Sequence, residues 1–162
     1  MRVAVVMGST SDENKVEGAI KILKEYGIKV DVRCLSAHRA HHELSEFIEE
    51  CNHNGTEAII ACAGMAAALP GVIASMTIIP VIGVPLSGSV LDGMDALMSI
   101  VQMPSGIPVA TVAINGTKNA AYLALQIIAN KHDEVKERLL NHRLSMKEDA
   151  KKANEAMISK YE

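Results

Sequence analysis

Tryptophan is absent from the 162 residues, phenylalanine occurs once and tyrosine three times. A core so poor in rings must be assembled from Ala, Val, Ile, Leu and Met, within a hydrophobic content of 49%. With eleven glycines, that mixture suits close packing of helices on a sheet. The same shortage argues against a flavin site, because none of the rings falls in a loop where it could stack on an isoalloxazine. Cysteine is scarce too. Cys34, Cys51 and Cys62 are odd in number and lack metal-ligand spacing, which disfavours both a disulfide framework and a zinc site. A reducing, cytoplasmic setting is the expectation. A formal charge of −3 with no basic stripe gives no reason to expect nucleic-acid binding. No unbroken apolar run is long enough to span a membrane, since Glu57–Leu91 is interrupted by Gly, Pro and Ser. The opening MRVAVVM is too short for a signal peptide.

What is present is an alternation. Val3–Met7, Lys29–Cys34, Ala58–Cys62, Pro80–Val84 and Val109–Ile114 are Val/Ile-rich runs that read as strands buried on both faces. Cys34, inside such a run, is expected in the core. Between the strands lie helical patterns. One apolar face is formed by Val16, Ala19, Ile20, Leu23 and Tyr26 and closed by Gly27; another by Leu44, Phe47, Ile48 and Cys51, ending near Gly55. Further helices are predicted over Ala66–Ser75, Gly93–Val101 and Asn119–Ala129. The pattern predicts an α/β chain with a doubly wound parallel sheet and helices on both faces. A single domain over 1–162 is expected, with its core at about 1–130 and a charged helical arm at about 131–162. That arm suits either a solvent-facing helix or an extension packed on another subunit.

Ligands of open parallel sheets bind beyond the carboxyl ends of the strands, so the loops there carry the functional reading. In GSTSD, Gly8 permits a tight turn, Ser9 and Ser11 offer hydroxyls, and Asp12 can cap the next helix or accept from a ligand hydroxyl. A plain strand–helix turn would use the same residues. In LSAHRAHHEL, Ser36 and Arg39 have the chemistry of a phosphate site, since the guanidinium fork matches a phosphate. His38 would stand at its rim, where an imidazole can move one proton near neutral pH. His41, His42 and His53 read as polar surface. The Ala61–Gly71 loop, ACAGMAAALPG, is so rich in small residues that either a ligand or a packing neighbour must approach its backbone closely. Pro85–Asp95 and Ile100–Pro108 add Gly, Ser, Asp and Pro that can close over a ligand.

GSTSD, SAHR, AGMAAALPG, PVIGVP, SVLDGMDALMSIVQMPSGIPVATVAI and NAAYLALQI occur in an order and spacing that resemble one known family. It is the N5-carboxyaminoimidazole ribonucleotide mutase family of purine biosynthesis, the small-subunit type of phosphoribosylaminoimidazole carboxylase. The likeness covers about residues 2–145. It implies a flavodoxin-like three-layer αβα sandwich with a C-terminal helical extension, a homo-octamer with active sites at subunit interfaces, a small-molecule ribonucleotide substrate, and no metal or organic cofactor.

Carried onto this sequence, the resemblance implies that Ser36 and Arg39 hold the substrate phosphate, with Ser9 beside them and Asp12 on the ribose hydroxyls. Gly64 and Ala66, Ala67, Ala68 and Leu69 would line the base and carboxylate pocket, Ser87–Leu91 would form a further wall, and His38 would be the general acid/base. One position departs from the family pattern: a GAAHLPG-like loop usually carries histidine where this chain has Ala68. A related class that carboxylates aminoimidazole ribonucleotide directly with CO2 also lacks that histidine, but typically has lysine after SAH. Arg39 and LPG favour the mutase, whereas Ala68 points to direct carboxylation or to a non-catalytic nucleotide-binding homologue. His41, or water beside Ala68, would then supply the missing polar group.

Overall fold

The computed structural model describes residues 1–162 and pairs the Val/Ile-rich runs into one parallel sheet. Its strands are β1 (Arg2–Met7), β2 (Lys29–Cys34), β3 (Ala58–Ala63), β4 (Val81–Pro85) and β5 (Ala110–Thr111), in the order β2-β1-β3-β4-β5. The helices are α1 (Glu13–Glu25), α2 (His41–His53), α3 (Leu69–Ala74), α4 (Met94–Val101), α5 (Thr117–Ile128) and α6 (Asp133–Tyr161). Alternation along β1 divides the core. Val3, Val5 and Met7 pack with the apolar faces of α1 and α5, while Ala4 and Val6 pack with those of α2, α3 and α4. This is the expected flavodoxin-like three-layer αβα sandwich.

Register fixes where the site can lie. Met7 is paired with both Cys34 and Cys62, so β1, β2 and β3 end level with one another. The reversal of strand order falls between β1 and β3, and the loops leaving these strands open onto a common crevice. On the neighbouring strand, Gly83 is required by packing: a Cβ there would meet Ile100 Cγ2 at 2.5 Å and Val109 Cγ1 at 2.8 Å.

The edges of the sheet differ from the sequence reading. No residue of β2 is fully buried, and Cys34 is exposed rather than in the core. The reason is position: β2 pairs only with β1 and has a free outer edge. The run expected at Val109–Ile114 keeps a regular ladder only at Ala110 and Thr111. It then continues irregularly alongside β4, with Val112 N donating to Gly83 O and Asn115 N to Pro85 O, before Asn115 turns left-handed at φ 57°. The third helix starts at Leu69 rather than Ala66, because Met65 and Ala67 hold φ of 55° and 37°, outside helical backbone.

Helix α6 buries only Val135. Arg138 fastens its first turns by donating to Glu25 O at 2.7 Å and lying 4.4 Å above the Tyr26 ring. His142 stacks on Tyr122 at 5.0 Å, and every residue from Arg143 onward is exposed. No helix is long and apolar enough to cross a membrane.

Candidate active site

The loops that follow β1, β2, β3 and β4 enclose one cavity of about 570 Å³. Ser9 and Asp12 enter it from the first loop, Ser36, His38 and Arg39 from the second, and Gly64 with Ala66–Leu69 from the third. The residues singled out in the sequence are therefore brought to one place, although they span sixty positions of the chain.

Each loop is shaped by its own sequence. Ser9 Oγ accepts from Ser11 N at 3.3 Å and from Ser11 Oγ at 2.9 Å, capping the short 3-10 turn Thr10–Asp12. Asp12 makes no capping hydrogen bond to α1, so its carboxylate remains available to the cavity. Partial burial raises the Asp12 pKa, and the positive charge of Lys15 opposes that rise. Behind it, burial within β3 pushes the Cys62 thiol up to about 12, with the Asp12 charge adding to the effect. That thiol stays protonated and supplies no nucleophile.

After β2, Arg39 N and Ala40 N both fold back onto Ser36 O, at 3.2 and 2.9 Å. This turn puts the Ser36 hydroxyl and the Arg39 guanidinium on the same side, with Arg39 Nε 3.5 Å from Ser36 Oγ. That is too long for a strong hydrogen bond and leaves the guanidinium fork free for a ligand. His38 is exposed at the mouth. The other histidines separate from it. His41 and His42 open α2 and do not line the cavity, so His41 is not placed to substitute for a polar group at residue 68. His42 pairs with Glu46 at 3.4 Å and His53 with Glu49 at 2.9 Å, both exposed. No group of three metal-ligating side chains converges anywhere.

The third loop works by shape. Leu86 N donates to Ala63 O at 2.9 Å, tying the ends of β3 and β4 together. A Cβ on Gly64 would stand 3.2 Å from Leu86 O, so glycine permits that close approach. Ala67 N then turns back onto Gly64 O at 3.0 Å. Left-handed backbone at Met65 and Ala67 costs about 1 kcal/mol or more at each residue, strain that concentrates at binding sites. Ala68 lines the cavity and brings only a methyl group to it.

Two groups of the site were missed in the sequence. Lys15 lines the cavity and donates from Nζ to Ser87 O at 2.7 Å. Its spacing of three from Asp12, on the first turn of α1, was the available signal. Asn115 holds the fourth loop, with Oδ1 accepting from Ser87 N at 3.1 Å and Nδ2 donating to Ser87 Oγ at 2.9 Å.

Residues 2–149 match the family described as AIR carboxylase. The chain belongs to that family. An N5-carboxyaminoimidazole ribonucleotide mutase of Pyrococcus horikoshii is 48% identical, over 98% of this chain and 92% of that protein. A phosphoribosylaminoimidazole carboxylase of Candida albicans is 53% identical over 78% of this chain, which matches 22% of its length. Among solved structures, Treponema denticola PurE superposes with a TM-score of 0.80 at 30% identity, covering 93% of this chain and 97% of that one. The AIR carboxylase family thus accounts for the sheet, its loops and the first turns of α6.

Proposed function

We propose that this chain is an isomerase that converts N5-carboxyaminoimidazole ribonucleotide to 4-carboxy-5-aminoimidazole ribonucleotide. The observation that carries this reading is the joining of the SAHR turn, the GSTSD turn and the small-residue loop around one cavity. Near-full-length similarity to proteins named as that mutase supports it. Arg39 and Ser36 take the phosphate, and Asp12, with no partner from the helix behind it, accepts the ribose hydroxyls. Ser9 lines the wall between them. Gly64 and Ala66–Leu69 form a small apolar chamber around the base and its carboxylate.

The reaction requires one proton to move and one CO2 to be held. Protonation at N5 lets the carbamate C–N bond break and release CO2. Held against the small-residue loop, that CO2 stays beside the nucleophilic C4 of the ring, replacing an encounter in solution by an oriented one. When the C–C bond has formed, C4 bears both a proton and the new carboxylate. His38 takes this proton, restoring aromaticity, and is the same group that supplied one to N5, so the proton balance closes over a turnover.

We further propose one domain, with a core over about 1–130 and an arm over about 131–162, working as a cytoplasmic homo-octamer with sites at subunit interfaces. Val90, Leu91, Met94 and Met98, exposed directly after the Ser87–Ser89 wall, support burial of that region against another copy. Light scattering should give eight times 17.3 kDa.

Direct carboxylation of aminoimidazole ribonucleotide is the second reading, favoured by Ala68. Purified protein given the carbamate, or the uncarboxylated ribonucleotide with CO2, separates the two. The mutase turns over the carbamate under CO2-scavenging conditions and is slow with free CO2. Turnover from CO2 alone overturns the mutase in favour of the carboxylase, and turnover of neither overturns both.

A further inference from the structure

Lysine 15 is the one cation of the cavity to which the reaction above gives no part. It lies on the first turn of α1, three residues beyond Asp12, and its backbone is fixed because Thr117 Oγ1 donates to Lys15 O at 2.8 Å. From there the side chain crosses to the fourth loop. Its Nζ donates to Ser87 O at 2.7 Å, and a Cβ built on the neighbouring Gly88 would stand 3.5 Å from the same nitrogen. Gly88, at φ 109°, carries no side chain, so the wall at this point is bare backbone beside the ammonium. Asn115 grips Ser87 from the other side through two hydrogen bonds. An ammonium has three donors, and Ser87 O uses one of them.

We infer that Lys15 is a positioning residue of the site: it latches the Ser87–Ser89 wall to α1 and sets a positive charge in the cavity three residues beyond Asp12. This inference rests on the proposed ribonucleotide reading. The charged and titratable groups around Asp12 are Lys15 from α1 and Cys62 from β3, with His38 and Arg39 entering the same cavity from the β2 loop. Cys62 is neutral, and Lys15 is the cation that counters the burial of Asp12. A carboxylate accepts from two hydroxyls, whereas a protonated acid accepts less well and must donate once. Loss of the ammonium should therefore weaken ribose binding most at acidic pH.

The test compares wild type, Lys15→Met and Lys15→Arg as full-length protein, with thermal melting to establish folding. Turnover of the carbamate is measured against pH, as is calorimetric binding of aminoimidazole ribonucleotide. For Lys15→Met we expect KM and Kd to rise about tenfold, because the ligand must then order a wall that the ammonium no longer holds. The acidic limb of kcat/KM should move to higher pH, with kcat changed less than about threefold, as expected when binding rather than the chemical step is weakened. Lys15→Arg should recover most of the affinity and the wild-type limb. An unmoved acidic limb and unchanged Kd in Lys15→Met overturn the inference. So does an affinity loss that is equal at all pH values and not recovered by arginine, which marks a merely structural latch. Wild type that binds the nucleotide but does not turn over the carbamate overturns the mutase reading alone, and the binding comparison still decides Lys15. If Lys15→Met fails to fold, Lys15→Gln, which keeps a donor but loses the charge, takes its place: a Kd that weakens most toward acidic pH supports the inference, and an unchanged Kd overturns it.

Discussion

The loops after β2 and β3 serve the same cavity by opposite means. Ser36–Arg39 is a relaxed turn closed by two backbone hydrogen bonds, and it offers a hydroxyl, an imidazole and a guanidinium that are exposed or half-exposed. Gly64–Leu69 offers no ionisable group. It contributes two left-handed residues, a glycine against Leu86 O, and methyl groups. The first loop supplies chemistry that side chains carry; the second supplies a volume that only an unusual backbone can enclose. Mutations should therefore separate them: the first loses activity with little loss of stability, and the second loses both.

The largest effect is expected at His38. His38→Asn keeps a polar side chain but cannot shuttle a proton, and kcat should fall about 10²–10⁴-fold. Because His38 is exposed and packs on nothing in the core, its melting temperature should match wild type. Retained turnover would remove it from the mechanism and with it the division of labour between the two loops. Next comes Arg39. Arg39→Ala removes the fork proposed to take the phosphate, and KM for the carbamate should rise about 10–100-fold while kcat falls less. Inorganic phosphate should inhibit wild type better than this variant, which gives a readout independent of the substrate.

The small-residue loop should answer in stability. Ala67 is left-handed at φ 37° and 5% exposed, so Ala67→Val adds β-branching to strained backbone in a filled space. A loss of about 1–3 kcal/mol in urea unfolding is expected, together with weaker nucleotide binding. A variant as stable as wild type would mean that the loop relaxes freely and does not define the chamber.

These two loops also mark what the sequence discloses. SAHR announces itself because Ser, His and Arg have recognisable chemistry and follow a Val-rich run. Gly64–Leu69 was legible only as a run of small residues, and the helix expected from Ala66 begins at Leu69 because nothing in the letters MAAAL encodes positive φ at Met65 and Ala67. The central strands were evident from continuous Val and Ile. The edges were not, since burial of β2 and the length of β5 depend on having one neighbour rather than two. Lys15 escaped notice because its partner, Ser87 O, is a backbone atom 72 residues away. The missing histidine at residue 68 was visible, but the failure of His41 to reach the cavity was a matter of helix direction.

The smallest expected effect lies at Asp12, and its sign follows from its surroundings. Burial raises its pKa in the fold above the ordinary carboxylate value of 3.8, so the native state disfavours the ionised form. Folding stability at this residue is therefore greatest below the unfolded pKa and declines as pH rises through the folded one. Asp12→Asn removes the ionisation, and its melting temperature should lie slightly above wild type at pH 7, with the difference vanishing near pH 3. Solvent and Lys15 both soften the burial, so the gain is small. Nucleotide affinity should move the other way, because Asn cannot accept from two hydroxyls through a charged group. A neutral amide that improves the fold while weakening the ligand would place Asp12 with His38 and Arg39, among side chains kept for what they do in the cavity. An Asp12→Asn protein with unchanged affinity would return it to the scaffold, beside Gly64 and Ala67.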